Sequence, residues 1–152
     1  MAAAPPQVNS DADRLLKRYL RGALADLGGG PTSTGAVDAA GRRALGDLWY
    51  GVFDARGPPG GAVPGRCVYV INTALAPHPG HWVAVAHDPG HSPLVYDSLA
   101  GAAGRPAALG GAATELYGET REQNRGDTHC GALCVAWARL WREQGRAVAR
   151  AV

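Results

Sequence analysis

Lysine is almost absent from this chain of 152 residues, and Lys17 is its single instance. The positive charge is therefore nearly all arginine, which stays protonated at any accessible pH. The formal net charge is only +2 at neutral pH, which is too small to indicate nucleic-acid binding by itself.

Long apolar runs and a cysteine framework are missing as well. No uninterrupted apolar stretch approaches the roughly 18 residues that a membrane span requires, and the first residues lack the basic and apolar segments of a secretory signal. The three cysteines cannot all pair with one another. We therefore expect a soluble protein of a reducing compartment, intracellular and not secreted, without membrane partners.

The length of the chain suits one domain with a moderate core, since single domains most often hold about 100–150 residues. Its 22 glycines and 11 prolines are roughly double the usual share of about 12 %, which favours a globular chain with long loops. We predict a flexible leader at residues 1–9 and a single domain at residues 10–152.

Hydrophobic patterns predict the elements of this domain. Apolar residues at helical spacing indicate a helix from Ser10 to the glycines at residues 28–30, whereas residues 32–48 fit either a short helix or an extended loop. Further helices are predicted near residues 106–117 and at about residues 130–144. Strands are predicted at residues 49–53, 67–71, 81–86 and 93–97. The predicted fold class is α+β, with a small mostly antiparallel sheet packed against helices.

Cys130 is the most informative residue, because it stands where a loop leads into the final predicted helix. Unpaired N–H groups and the positive end of the helix dipole favour a thiolate at such a position. Upstream lie His81 and Asp97, a base and a carboxylate in strand-like segments, and Gln123 lies seven residues before Cys130. Each of these residues alone is more often structural, but their combination is typical of a cysteine hydrolase.

Metal binding and a different base are the competing assignments. Cys130 and Cys134 lack a second Cys/His pair at the spacing of a zinc site, so we expect no metal, and we expect Cys134 in the core. His129 adjoins Cys130, but neighbouring side chains usually diverge at a loop-to-helix junction. His81 is therefore the better candidate for the base.

Several short motifs follow one another in a characteristic order over about residues 20–140. They are Asp-Leu-Gly-Gly-Gly-Pro at residues 26–31, Val-Phe-Asp-Ala-Arg at 52–56, the apolar strand at 67–74, Gly-His-Trp at 80–82 and Cys-Gly-Ala-Leu-Cys at 130–134. In this order they resemble the adenovirus endopeptidase family, adenain, whose spacing between glutamine and cysteine is also the same.

The resemblance implies an adenain-like cysteine protease fold, with Cys130, His81 and Asp97 as a triad and the Gln123 amide in the oxyanion hole. It also implies cleavage of viral precursor proteins at Gly-containing sites during maturation, in the virion and the host nucleus. In that family, DNA and a short disulfide-linked peptide act as activators. No cysteine lies between Cys67 and Cys130, so we expect no disulfide-linked activator at the matching place, and a non-covalent one stays open.

Two other functions remain as alternatives. The Tyr-Asp-Ser-Leu run at residues 96–99 is similar to the SUMO-specific proteases, which have the same residue order and a glutamine one residue closer to the cysteine. A SUMO-type or ubiquitin-like isopeptidase is therefore the runner-up. The third hypothesis is an inert DNA- or capsid-associated module, against which the intact site residues argue.

DNA binding would depend on arginines of the final helix. If that helix continues, Arg139, Arg142, Arg146 and Arg150 form one stripe that could bind phosphates. A solvated helix face explains the same spacing.

Overall fold

Residues 10–28, 32–61, 63–72, 81–98, 115–117 and 129–152 are described by a computed structural model. Within them the chain forms four α-helices and one five-stranded sheet, which confirms the α+β class. The helices are α1 (Ser10–Leu27), α2 (Thr34–Leu45), α3 (Cys130–Gln144) and the short α4 (Arg146–Ala149). The strands are β1 (Trp49–Phe53), β2 (Cys67–Asn72), β3 (Trp82–His87), β4 (Leu94–Tyr96) and β5 (Glu115–Tyr117). Short 3₁₀ turns lie at Gly46–Leu48 and Pro59–Gly61.

Helix α1 ends at the predicted glycines. Gly28 has a φ of 79°, and its N–H donates to the carbonyl of Leu24 at 2.7 Å. Glycine adopts this left-handed conformation without steric cost, so the helix stops there. Residues 1–9, for which we predict a leader, lie outside the described residues.

Helix α2 resolves the open alternative for residues 32–48. The Ser33 hydroxyl accepts the N–H of Ala36 at 3.1 Å and so caps the helix, and the N–H of Gly46 donates to the carbonyl of Arg42 at its other end. Its buried face is made mostly of small residues, which explains the weak periodicity. They are Val37, Ala40, Gly41 and Leu45.

The sheet is mixed, so the prediction of a mostly antiparallel sheet is wrong. In the order β1-β2-β3-β4-β5, strand β3 pairs antiparallel with β2 and β4, whereas β1 and β5 pair parallel with their neighbours. Parallel pairs require crossover connections, and no local sequence pattern specifies where a crossover returns. The four predicted strands are all present, to within one residue at each end.

Strand β5 lies where the sequence predicts the end of a helix. Residues 115–117 pair parallel with β4, from Leu94↔Glu115 to Tyr96↔Tyr117. Three residues are too few to show a strand period, and pairing with β4 decides their conformation. The other residues of that predicted helix, 106–114, lie outside the described residues.

Both faces of the sheet are buried, and the helices cover one of them. On the helical face, β3 contributes Ala84, Ala86 and the partly buried Trp82, and the two small alanines let α3 pack close to this central strand. The opposite face forms a second apolar cluster around Cys67, Tyr69, Ile71, Val83, Val85 and Val95. Among the described helices, none has the length and apolar character that crossing a bilayer demands.

A glycine allows α2 to pack against β1. A Cβ on Gly41 would lie 2.1 Å from Cε2 of Trp49, whose indole N–H donates to Asp38 at 2.8 Å. The indole is therefore held in place and cannot move aside for a larger residue.

We expect Gly41→Ala to lower the free energy of unfolding by about 1–3 kcal/mol, because overpacking a rigid contact costs that much. The matched control is Gly35→Ala in the same helix, where an added Cβ meets nothing within 4 Å. Alanine favours helix, so this control should leave stability unchanged or slightly raised. Urea denaturation midpoints measure both, and equal midpoints for the two variants would contradict the packing argument.

Candidate active site

The ends of β3, β4 and α3 meet at one edge of the domain. His81 directly precedes β3, Asp97 directly follows β4, and Cys130 is the first residue of α3. Because β3 and β4 pair antiparallel, the start of β3 and the end of β4 are neighbours, and His81 and Asp97 therefore lie side by side.

His81 forms hydrogen bonds to both of the other residues. Its Nε2 lies 2.7 Å from Oδ1 of Asp97, at hydrogen-bond distance, and its side chain is hydrogen-bonded to the thiol of Cys130. Since Nε2 is hydrogen-bonded to Asp97, we infer that Nδ1 is the ring nitrogen that contacts Cys130. The three side chains thus form one continuous chain of hydrogen bonds.

His81, Asp97 and Cys130 differ in their exposure to solvent. His81 and Asp97 are each only 6 % exposed, whereas Cys130 is half-buried. The hydrogen bond between imidazole and carboxylate is therefore shielded from water, which strengthens it. Cys130 keeps part of its surface in contact with solvent.

The pKa of His81 reflects two opposed effects. Burial alone would lower it, because burial disfavours the charged imidazolium. The hydrogen bonds to Asp97 and Cys130, together with the negative charge of both partners, outweigh burial and raise the pKa to about 9. His81 is therefore a cation at neutral pH.

The pKa of Cys130 shifts in the opposite direction. Burial raises it, but the hydrogen bond with His81 and those from the backbone N–H groups of Trp82 and Gly131 outweigh burial, so the pKa lies below its ordinary value. The helix N-terminus acts in the same sense. Together the two shifts favour an imidazolium–thiolate pair.

The other two thiols are different in kind. Burial raises the pKa of Cys67 to about 11, and it raises that of Cys134 well above the usual range. Cys134 is 1 % exposed, so the prediction that it lies in the core is confirmed. Neither thiol is suited to act as a nucleophile at neutral pH.

Gln123 lies outside the described residues, and its place in an oxyanion hole stays a prediction. The start of α3 contributes a second kind of donor. The first N–H groups of any helix have no acceptor within the helix, and the first helical bond of α3 is donated by Leu133 to the carbonyl of His129. The N–H of Cys130, which the sequence analysis pairs with Gln123, belongs to this first turn.

His81 is hydrogen-bonded to Cys130, and the other described histidines lie in different surroundings. His129 is the N-cap residue of α3 and makes no side-chain capping bond there. His87 lies at the other end of β3, where its Nε2 is 3.0 Å from the hydroxyl of Tyr69 and the two rings stack. His91 is exposed in the turn after β3, and His78 lies outside the described residues.

Sequence reasoning missed two main-chain features of the site. The N–H of Trp82 donates to the sulfur of Cys130, and Gly131 lets α2 approach the start of α3. A Cβ at Gly131 would lie 2.6 Å from Oγ1 of Thr32 and 2.9 Å from Cγ2 of Val37. The only available signals were the adjacency of Trp82 to His81 and of a glycine to Cys130.

The condition for a continuous arginine stripe is not met, because the last helix does not continue. Helix α3 ends at Gln144, and Gly145 has a φ of 86°, which interrupts the helical backbone. Arg146 belongs to the short α4, and Arg150 follows it.

The arginines also have partners within the chain, and three of these contacts are described. The guanidinium of Arg139 lies 4.7 Å from the ring centroid of Tyr19, and Arg142 donates to a main-chain carbonyl of α2 at 2.6 Å. Arg146 pairs with Asp88 at 3.5 Å. A phosphate would have to compete with each of these contacts.

No group of three or more metal-ligating side chains occurs in the part of the chain that the structure describes. Within the described residues, the site consists of a thiol, an imidazole and a carboxylate. This donor set suits nucleophilic catalysis.

Iodoacetamide should label Cys130 fastest of the three thiols near neutral pH, with a half-maximal rate below the ordinary thiol pKa of about 8.5. His81→Gln should move this midpoint upward, because the thiolate loses its cationic partner. His87→Gln is the matched control at the far end of β3 and should leave it unchanged. Mass spectrometry of the native protein measures the rates, and equal labelling of all three thiols would refute the ion pair.

No protein-family model and no curated protein matches the chain. The likeness to adenain therefore consists of the quoted motifs alone, and the function has to be argued from the chemistry of the site.

Proposed function

We propose that this protein is a cysteine endopeptidase in which Cys130 is the nucleophile, His81 the general acid and base, and Asp97 the carboxylate that orients the imidazole. The observation that carries the proposal is the hydrogen-bonded chain from Asp97 through His81 to a thiol of lowered pKa. A structural cysteine needs neither a lowered pKa nor a buried ion-pair partner.

The chemistry follows from the charges in the resting site. The Cys130 thiolate attacks the carbonyl carbon of a peptide bond and forms a tetrahedral oxyanion. The His81 imidazolium then donates its proton to the leaving amine, and the C–N bond breaks to leave a thioester. Neutral His81 next takes a proton from water, whose oxygen displaces Cys130 as the thiolate and releases the carboxylic acid. The site thus returns to its starting state.

The oxyanion needs donors that are already in place. The backbone N–H of Cys130 at the start of α3 is one, and the predicted side-chain amide of Gln123 is the other. Each such donor is typically worth about 3 kcal/mol of the barrier.

The substrate class comes from the resemblance to adenain. We propose precursor proteins with apolar-x-Gly-Gly or apolar-x-Gly-x-Gly sites, cleaved during virus maturation in the virion and the host nucleus. DNA is left out of the proposal, because the arginines meant to bind it do not share one helix and Arg139, Arg142 and Arg146 contact other groups of the chain.

The runner-up is a SUMO-type isopeptidase, and one observation favours it. The acid that contacts His81 is Asp97, within the Tyr-Asp-Ser-Leu run that resembles those enzymes, whereas the best-known adenain uses glutamate. Either acid can orient an imidazole, so the two proposed activities have to be distinguished by the substrate that the protein cleaves.

An internally quenched peptide containing Leu-x-Gly-Gly should be cleaved by the native protein, while Cys130→Ala should abolish cleavage and leave the fold intact. Circular dichroism provides the folding control. Cleavage of a ubiquitin-like fusion but not of the peptide would favour the runner-up. Absence of cleavage of either substrate would contradict the proposal and favour the inert module.

The pH profile of kcat should be bell-shaped. Activity should fall at low pH, where the thiolate gains a proton, and again above about pH 9, where His81 loses the proton that the leaving amine requires. The two apparent pKa values belong to the coupled pair.

Asp97→Asn should lower kcat by about 10²–10⁴-fold and move the alkaline limb to lower pH, because the carboxylate no longer raises the pKa of His81. The control is Asp54→Asn, which removes a pair with the exposed Arg56 and should change neither quantity. An unmoved alkaline limb in the Asp97 variant would exclude the orienting role.

A further inference from the structure

Two thiols of α3, one helical turn apart, contact the main chain of the same residue. The N–H of Trp82 donates to the sulfur of Cys130, and the thiol of Cys134 donates to the carbonyl of Trp82 with a distance of 3.4 Å from sulfur to oxygen. Side chains at positions i and i+4 lie about 5–6 Å apart on one helix face, a spacing that suits the N–H and the carbonyl of one extended residue.

Cys134 is the donor at this position. It is 1 % exposed, and burial raises its pKa well above the usual range, so the thiol is protonated at neutral pH. It therefore behaves as a neutral S–H group that can only donate to Trp82. Cys130 behaves in the opposite way, because its sulfur accepts the N–H of the same residue and its pKa is lowered.

The location of Trp82 connects this pair of contacts to the position of His81. Trp82 directly follows His81 and begins β3, so any movement of its main chain also moves the imidazole. The same movement would turn the Trp82 N–H away from the thiolate. The two contacts join α3 to β3 at the end of the strand where His81 lies, whereas Ala84 and Ala86, further along this face of β3, have small side chains.

We propose that Cys134 is a positioning residue for the nucleophile, which holds the Trp82 main chain so that its N–H and the neighbouring His81 stay aimed at Cys130. This inference rests on the proposed function for its effect on catalysis. Its effect on the state of Cys130 can be measured without any substrate.

Three variants test it, namely Cys134→Ala, Cys134→Ser and the control Cys67→Ala. Cys67 is an equally buried thiol on the opposite face of the sheet, so it reproduces the loss of a core sulfur without touching Trp82. The first readout is the pH midpoint of Cys130 alkylation by iodoacetamide, and the second is kcat on the Leu-x-Gly-Gly peptide. Thermal unfolding is measured for all three.

Cys134→Ala should raise the alkylation midpoint and lower kcat by about 10- to 100-fold with little change in KM, the size of effect that a small misplacement of reacting groups produces. Cys134→Ser retains a donor on a shorter bond and should give intermediate values for both. Cys67→Ala should lower the melting temperature and leave midpoint and kcat unchanged.

The proposal is overturned if Cys134→Ala loses stability as Cys67→Ala does while the alkylation midpoint and kcat stay at their native values. It is also overturned if both alanine variants shift the midpoint alike, or if Ser behaves no better than Ala. If Cys134→Ala does not fold, the Ser variant decides by the same two readouts. Should no peptide be cleaved by the native protein, the endopeptidase proposal fails, and the alkylation midpoints still decide the role of Cys134.

Discussion

The stacking of Trp137 on Tyr96 is the contact on which the geometry of the site depends. The two rings are nearly parallel, at 6°, with centroids 5.4 Å apart, and both side chains are fully buried. Tyr96 ends the strand that leads to Asp97, and Trp137 lies seven residues after Cys130 on α3. One aromatic contact thus joins the element that carries the carboxylate to the element that carries the thiol. Large buried rings suit this role, because they cannot shift without losing much contact area.

A second anchor fixes the other end of α3. The carboxylate of Asp88, at the end of β3, accepts the indole N–H of Trp141 at 2.9 Å and pairs with Arg66 and Arg146. The guanidinium of Arg66 also lies over the ring of Trp141, 4.3 Å from its centroid. With both ends attached to the sheet, the helix has one possible axis. The direction in which its N-terminus meets His81 then follows.

Much of this arrangement could be predicted from local patterns. Helix α3 spans the predicted residues 130–144, because Trp137, Leu140 and Trp141 recur at helical spacing and Gly145 follows them. The candidate triad was found because thiols, imidazoles and carboxylates have few reasons to occur together in this order. The geometry brings these three side chains together, and their catalytic role stays a prediction.

Other features left no local signal. The parallel edge strands depend on the course of crossovers, and β5 is too short to show a period. The arginines do recur at helical spacing, but one glycine with positive φ ends the helix that would align them. The contacts of Trp82 to two thiols involve only its main chain, which is the same for every residue type. Side-chain patterns cannot reveal such contacts.

The unequal burial of the site residues has a consequence for the order of events in the proposed reaction. Cys130 is the one member of the three that reaches solvent to a sizeable extent, and His81 faces it through Nδ1. The departing amine and the incoming water both have to occupy the space beside the acylated Cys130, one after the other. Hydrolysis of the thioester therefore has to wait until the first product has left. A peptide product that lingers in this space would hold the enzyme in its acylated form, so its dissociation can control the turnover.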